Sequence, residues 1–297
     1  MNKLIVILGP TASGKTNFAI KLAKEYNGEV VSADSRQIYK GMDIGTAKPL
    51  DLEGIPHWLL DIKKPDQEYT VAQFKEDAVK AINDIQKRGK LAILAGGTGL
   101  YIKAVVDNLD IPKVRANPLL RKKIEKEILE RGLDYVFKKL INLDPEAAYI
   151  VDPKNPRRIA RALEITLLTK KPFSVQRKTG DPLFNVLEIG MSLPKEKLKE
   201  RIYSRVNQMM EQGLVKEVEE LVKKYGAKQQ AFDAIGYREI IDFLNKKTTQ
   251  DQATELMKIN TWHFAKRQMT WFKKDKRIVW VKDFEEAKPA IDNFLDK

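Results

Sequence analysis

The chain has 297 residues, 43% of them hydrophobic and 32% charged, and a formal net charge of +13; this is the make-up of a soluble globular protein with one large domain or two unequal ones, not of a disordered chain. It has no cysteine and only His57 and His263 as histidines, which excludes disulfides, iron–sulfur clusters, thiolate zinc sites, a cysteine nucleophile and histidine-rich metal centres, so a catalytic base is expected to be a carboxylate and a metal to be magnesium held by oxygen. No stretch is long and apolar enough to span a membrane and residues 1–8 lack the parts of a secretory signal, so a cytoplasmic protein with no membrane partner is expected, and the excess positive charge points to a polyanionic one.

Residues 4–8 form an apolar run ending in Gly9, and Phe18, Ala19, Leu22 and Ala23 then mark one face of a helix before Gly28. The order is strand, loop, helix. Residues 30–33 read as a second strand delivering Asp34 at its end, and residues 58–62 as a third. A helix over 71–88 is stopped by Gly89, and residues 91–95 make another buried strand. Beyond Ile111 the texture changes. Asn117-Pro118 starts a helix with Leu120, Ile124 and Ile128 at four-residue spacing and Gly132 as its stop, and a second helix is predicted over 156–169. Residues 186–191 return the chain to the sheet, and Leu198, Ile202, Val206 and Met209 line the helix before Gly213. A long helix begins near Thr249, where Thr249 and Gln252 have capping-box spacing, and reaches about Lys274; residues 278–281 make a last strand.

The strongest local signal is Gly9-Pro10-Thr11-Ala12-Ser13-Gly14-Lys15-Thr16, a full match to the phosphate-binding pattern, placed between a strand and a helix. Its glycines let successive backbone N–H groups face phosphate oxygens, Lys15 adds a point charge and the Thr16 hydroxyl suits magnesium. The expected fold is therefore α/β, a P-loop NTPase-like parallel sheet flanked by helices, with residues 1–111 and 186–297 as core and 112–185 as a helical insertion domain. Most such loops serve hydrolases or kinases, which place an acid after a buried strand. Here residues 91–95 run into Gly96-Gly97-Thr98-Gly99-Leu100-Tyr101, and Asp34 is the acid left to organise magnesium. Asp34 reads either as a turn cap or as a ligand-facing carboxylate, and the glycine turn either as a tight connection or as a set of donors beside it. Trp262, Phe264, Trp271 and Phe272 read either as aromatics that stack on a ligand or as core, and their helical spacing favours core, so no site role is assigned to them.

With Ala33-Asp34-Ser35-Arg36-Gln37-Ile38-Tyr39, Asp43-Ile44-Gly45-Thr46-Ala47-Lys48-Pro49, Arg157-Arg158-Ile159-Ala160-Arg161-Ala162-Leu163-Glu164, Ala234-Ile235-Gly236-Tyr237-Arg238-Glu239 and Ala265-Lys266-Arg267-Gln268-Met269-Thr270-Trp271-Phe272, these segments resemble the bacterial tRNA dimethylallyltransferases, or tRNA isopentenyltransferases, in the family's order. The resemblance implies transfer of a dimethylallyl group from dimethylallyl diphosphate, with magnesium, to N6 of the adenosine just 3′ of the anticodon (position 37), by a monomer. It implies that Gly9, Thr11, Ala12, Ser13, Gly14, Lys15 and Thr16 hold the diphosphate, with Thr16 at the metal, and that Asp34 is the general base. Thr98 resembles its partner at the leaving diphosphate, and Arg205, with Arg201 as the alternative, a diphosphate-binding arginine. Asp34, Ser35, Arg36, Gln37, Arg157, Arg158, Ile159, Ala160, Arg161, Lys266 and Arg267 fall in segments that touch the tRNA anticodon stem-loop in that family.

Competing readings are an enzyme that prenylates free AMP or ADP, a small-molecule kinase or ATPase, and a non-catalytic RNA-binding module. An arginine-bearing insertion has no purpose for a mononucleotide acceptor, and an RNA-binding module leaves the phosphate loop and Asp34 without a task.

Overall fold

The computed structural model describes residues 2–49, 51–112, 114, 116–176 and 179–296. They fall into two compact units, residues 1–106 with 183–297, and residues 107–182.

The larger unit opens with β1 (Lys3–Leu8), α1 (Lys15–Glu25), β2 (Gly28–Ser32), β3 (His57–Trp58), α2 (Val71–Lys87), β4 (Leu91–Gly96) and α3 (Gly99–Val106). The smaller unit holds α4 (Pro118–Arg131), α5 (Leu133–Leu143), α6 (Ala147–Ile150) and α7 (Pro156–Thr169). The chain then returns with β5 (Asn185–Met191), α8 (Lys195–Glu211), α9 (Leu214–Tyr225), a 3-10 turn (Gln230–Asp233), α10 (Tyr237–Leu244), α11 (Gln250–Phe272), β6 (Val279–Val281) and α12 (Phe284–Asp296).

The six strands form one parallel sheet in the order β3-β2-β4-β1-β5-β6. A parallel strand is covered on both faces, which is why β1 reads as an unbroken apolar run rather than an alternation. Leu4, Val6 and Leu8 pack with Phe74, Ile82 and Ile102 of α2 and α3, while Ile5 and Ile7 pack with Phe18 and Leu22 of α1 and Ile291 of α12. Burying each such side chain contributes about 1.5–3 kcal/mol.

The expected third strand over 58–62 is shorter in the structure. Only His57 and Trp58 pair, because Leu59 (φ 63°) and Asp61 (φ 54°) take left-handed backbone that ends the ladder. Asp61 is instead drawn to the buried Lys48, whose ammonium also holds Asp43 at 2.7 Å and the Tyr39 carbonyl at 2.6 Å.

Helix starts follow the local chemistry. Thr70 with Gln73 and Thr249 with Gln252 form capping boxes, and Asn117 and Asn155 each cap a helix whose first residue is proline. In the smaller unit α4, α5, α6 and α7 bury Ile124, Leu140, Ala147, Ile159 and Leu163 together. Glu164 is fully buried there and accepts from Arg121 (2.6 Å), Arg161 (2.7 Å) and the Asn117 N–H (2.7 Å). Burial alone would raise its pKa; the Arg161 and Arg121 bonds outweigh that and hold it below the ordinary value. In the larger unit a third core gathers Ile38 and Met42 of the segment after β2 with Leu214, Val218, Tyr237 and Met257.

Candidate active site

Sheet register decides what meets what. Leu8 pairs with Gly96 and with Gly190, and Ser32 pairs with Ala95, so β1, β2 and β4 all end at one edge. That edge receives the phosphate loop, Asp34 and the Gly96–Gly99 turn, as ligand crevices of open parallel sheets do.

The phosphate loop is bent by left-handed residues, Ala12 (φ 64°) and Gly14 (φ 95°). Gly14 is the N-cap of α1 and brings no side-chain cap, so the first amides of that helix open toward the crevice. The Lys15 ammonium donates to the Pro10 carbonyl at 2.7 Å. Burial, partly offset by Asp34 and reinforced by Arg205, lowers its pKa to about 8. Removing a cation from water disfavours its charged form, and a bound anion reverses this.

Asp34 stands just past β2. Its Oδ1 accepts from the Arg36 N–H at 2.9 Å and, more weakly, from Gln37 at 3.4 Å, so it caps its own turn. It also lines a cavity of about 650 Å³ with Lys15, Thr16, Arg201 and Arg205, and an adjoining one of about 360 Å³ with Thr98, Arg205 and Arg267. One oxygen organises the turn while the residue lines the crevice. Thr98 lines only the smaller cavity; its hydroxyl accepts from the Ser35 N–H at 3.1 Å. The turn after β4 is also a packing device. A Cβ at Gly96 would overlap the Ala33 carbonyl, and one at Gly99 would overlap the Trp271 indole.

Arg201 and Arg205 both face the larger cavity, and neither makes an ion pair among the described residues. Arg205 also faces the smaller cavity, and burial together with Arg201 lowers its pKa. With Lys15 they concentrate positive charge in this crevice, the character of an anion site.

The residues assigned by resemblance to tRNA contact separate into different kinds. Ser35, Arg36 and Arg267 line the smaller cavity and Gln37 the larger. Arg36 donates to the Gln230 carbonyl at 3.0 Å, and Gln37 Nε2 to the Thr46 and Ala47 carbonyls at 3.2 Å, so both also shape the wall. Lys266 and Arg267 are exposed on α11, over the rings of Trp262 and Phe264. In the smaller unit Arg157 and Arg158 are exposed on the first turn of α7. Ile159 and Ala160 instead point into the core, at 0% and 4% exposure. Arg161 spends its guanidinium on Glu164 and the Val114 carbonyl, both at 2.7 Å.

Sequence reasoning left out four residues at the site. Phe264, read as core, is 37% exposed and lines both cavities, whereas Phe272 is core at 3%. Gln268 is 7% exposed and bridges the phosphate loop and the Gly96–Gly99 turn; a polar residue on a buried helical face was its only signal. Arg238 lines the smaller cavity. Glu217 accepts from the N–H groups of Asp43 (3.0 Å), Ile44 (2.7 Å) and Gly45 (3.1 Å) and from the Tyr237 hydroxyl (2.5 Å), fixing the loop that carries Thr46 and Ala47 into both cavities.

A family model described as IPP transferase matches residues 37–275. The chain is 46% identical to the tRNA dimethylallyltransferase of Acetivibrio thermocellus, across 99% of this chain and 96% of that protein. It belongs to the tRNA dimethylallyltransferase family. The Bacillus cereus dimethylallyltransferase is 44% identical across 97% of this chain and 93% of its own length. Among solved members of this enzyme family, the full-length tRNA isopentenylpyrophosphate transferase of Bacillus halodurans superposes with TM-score 0.74 at 39% identity, covering 100% of this chain and 96% of that one. A eukaryotic dimethylallyltransferase acting on tRNA superposes with TM-score 0.80 at 31% identity, covering 100% and 80%.

Proposed function

We propose that this enzyme transfers the dimethylallyl group of dimethylallyl diphosphate to N6 of adenosine 37 in tRNA, with Asp34 as general base and the phosphate loop as holder of the electrophile. The observation that carries the reading is a single crevice in which Asp34 faces Lys15, Arg201 and Arg205 beside the open amides of α1. Family membership supplies the reaction class.

Adenine N6 is a poor nucleophile because its lone pair is conjugated with the ring. A good leaving group and accurate positioning must drive the transfer. As the allylic carbon–oxygen bond lengthens, charge builds on the diphosphate, and amides and cations already aimed there stabilise that state more than the ground state. The new carbon–nitrogen bond makes the N6 proton acidic, and the Asp34 carboxylate takes it. Oδ1 is held by the turn, which fixes the group while leaving Oδ2 to act.

Magnesium fits this donor set. Thr16 lines the larger cavity and its hydroxyl would hold the ion, which would supply positive charge to offset that of the diphosphate.

The acceptor base must leave its stack for N6 to reach Asp34. Unstacked loop bases are read by stacking and by cations on the backbone, roles suited to Phe264, Arg267, Arg157 and Arg158. The test is incubation with dimethylallyl diphosphate, magnesium and unmodified tRNA, followed by nucleoside mass analysis, with AMP and ATP as comparisons. Prenylated adenosine in tRNA alone supports the reading; prenyl-AMP, or ATP cleavage without a prenyl product, overturns it.

A further inference from the structure

Gln268 lies near the end of α11, 257 residues along the chain from the phosphate loop, yet its side-chain amide is wedged between that loop and the turn after β4. Oε1 accepts from the Thr11 N–H at 2.8 Å and Nε2 donates to the Gly97 carbonyl at 2.8 Å. The group is 7% exposed. A glutamine amide offers an acceptor and a donor side by side, which is what that gap takes up.

What the amide joins matters. On one side lies the loop that grips the diphosphate. On the other, Gly97 leads into Thr98, whose N–H donates to the Ala33 carbonyl (3.2 Å) and whose hydroxyl receives the Ser35 N–H (3.1 Å), the two residues flanking Asp34. The amide is thus the link between the half of the site that holds the leaving group and the half that carries the base. A Cβ on Gly97 would overlap Gln268 Nε2, so glycine at 97 and glutamine at 268 form one fitted unit. By occupying the Thr11 amide, Gln268 also selects the later amides of the loop for the phosphate.

We propose that Gln268 is a positioning residue that sets the phosphate loop in register with the Asp34–Thr98 pair, and that Gly97 is glycine to admit it. The inference rests on the reading of the site as a prenyl-diphosphate transferase. Its consequence is specific. Gln268→Met keeps the volume and loses both bonds; Gln268→Glu keeps the acceptor for Thr11 and sets a carboxylate against the Gly97 carbonyl.

The first measurement is calorimetric binding of inorganic diphosphate with magnesium, which needs no turnover. Gln268→Met is expected to bind it about 10-fold more weakly than the unmodified protein, and in single-turnover prenylation to lose roughly 100-fold in rate at saturating substrate, since misplacement of about 1 Å has that cost. Affinity for tRNA should stay within about threefold, because the bridge makes its bonds within the protein and presents no cation to a phosphate backbone. Gly97→Ala should reproduce the loss by expelling the amide, and should add little in a Gln268→Ala background. Thermal melts separate a folding defect: a lower Tm with diphosphate affinity and single-turnover rate both within twofold in the folded fraction overturns the proposal, as does strict additivity of Gly97→Ala with Gln268→Ala. Failure of the parent reading looks different, since the unmodified protein would then bind diphosphate and yield no prenylated tRNA.

Discussion

Two carboxylates bracket β2, Glu29 within it and Asp34 just past its end, and the two have opposite surroundings. Glu29, at its second residue, is 1% exposed and accepts from Arg88 (2.5 and 2.7 Å), Lys90 (2.9 Å) and the Trp58 indole (2.9 Å). These bonds, Arg88 first, hold its pKa down at about 2 against the pull of burial. Asp34, two residues beyond the strand, spends one oxygen on its own turn and makes no salt bridge among the described residues, although Lys15 and Arg205 face the same crevice. Complete pairing makes a carboxylate part of the scaffold. Incomplete pairing beside free cations leaves it able to change partners and take a proton.

The largest effect should come from breaking the catalytic half of this contrast. Asn at 34 keeps an oxygen for the Arg36 N–H and removes the proposed base, so Asp34→Asn is expected to lower the single-turnover rate 10²–10⁴-fold with Tm and tRNA affinity nearly unchanged. A rate within threefold of the parent would remove Asp34 from the chemistry. The reverse holds at the other end of β2. Glu29→Ala removes the buried acceptor shared by Arg88, Lys90 and the Trp58 indole, but leaves the two cations partly open to water, and is expected to cost about 1–3 kcal/mol of stability, read by denaturant unfolding, with the folded fraction keeping its rate. Because the folded pKa of Glu29 lies below its unfolded value of 4.5, its contribution is present above pH 4.5 and is lost as pH falls toward 2. The Glu29→Ala protein should therefore show a shallower acid limb than the parent.

That contrast also marks what the sequence could and could not reveal. The phosphate loop is legible because eight consecutive residues make the whole device, and helix starts are legible because caps act within three residues. Asp34 could be placed at a strand end but not freed from the turn-cap reading, since its significance comes from Arg201 and Arg205 on a distant helix. Distance along the chain hid Gln268 and Glu217 in the same way, for each serves a loop some 170 residues or more away. Pro289 inside α12 masks a helix whose Phe284, Ala287 and Ile291 are buried at helical spacing. In the arginine-rich segment, charge alone could not separate Arg161, spent on Glu164, from Arg157 and Arg158 on the open first turn.

The same pairing rule therefore applies outside the sheet, with a smaller expected effect. Arg157→Ala with Arg158→Ala removes two exposed cations and should weaken tRNA binding about 10-fold at moderate salt and flatten the dependence of log affinity on log salt by 1–2 units, leaving Tm unchanged. Arg161→Ala should do the opposite, lowering Tm by removing one of the two arginines that pair with the buried Glu164, along with the bond to the Val114 carbonyl, while the salt slope stays that of the parent. Equal effects of the two changes on the salt slope would dissolve the distinction.

The smallest effect sits in the crevice itself, where Lys15 is a cation held back by burial. Its folded pKa of about 8 is below the ordinary 10.5, so burying the charged form costs stability below pH 8, and that cost is relieved as pH rises from 8 to 10.5. Substrate capture runs the other way. The free enzyme loses the Lys15 proton through pH 8, and with it the charge proposed to meet the diphosphate, so kcat/KM for dimethylallyl diphosphate should fall roughly threefold between pH 7.5 and 8.5. At saturating diphosphate the limb should move to higher pH, because the bound anion favours the protonated form. Lys15→Arg, charged throughout, should lower the plateau and abolish the limb; if the limb survives that change, the titrating group is another residue, and Lys15 acts by shape alone.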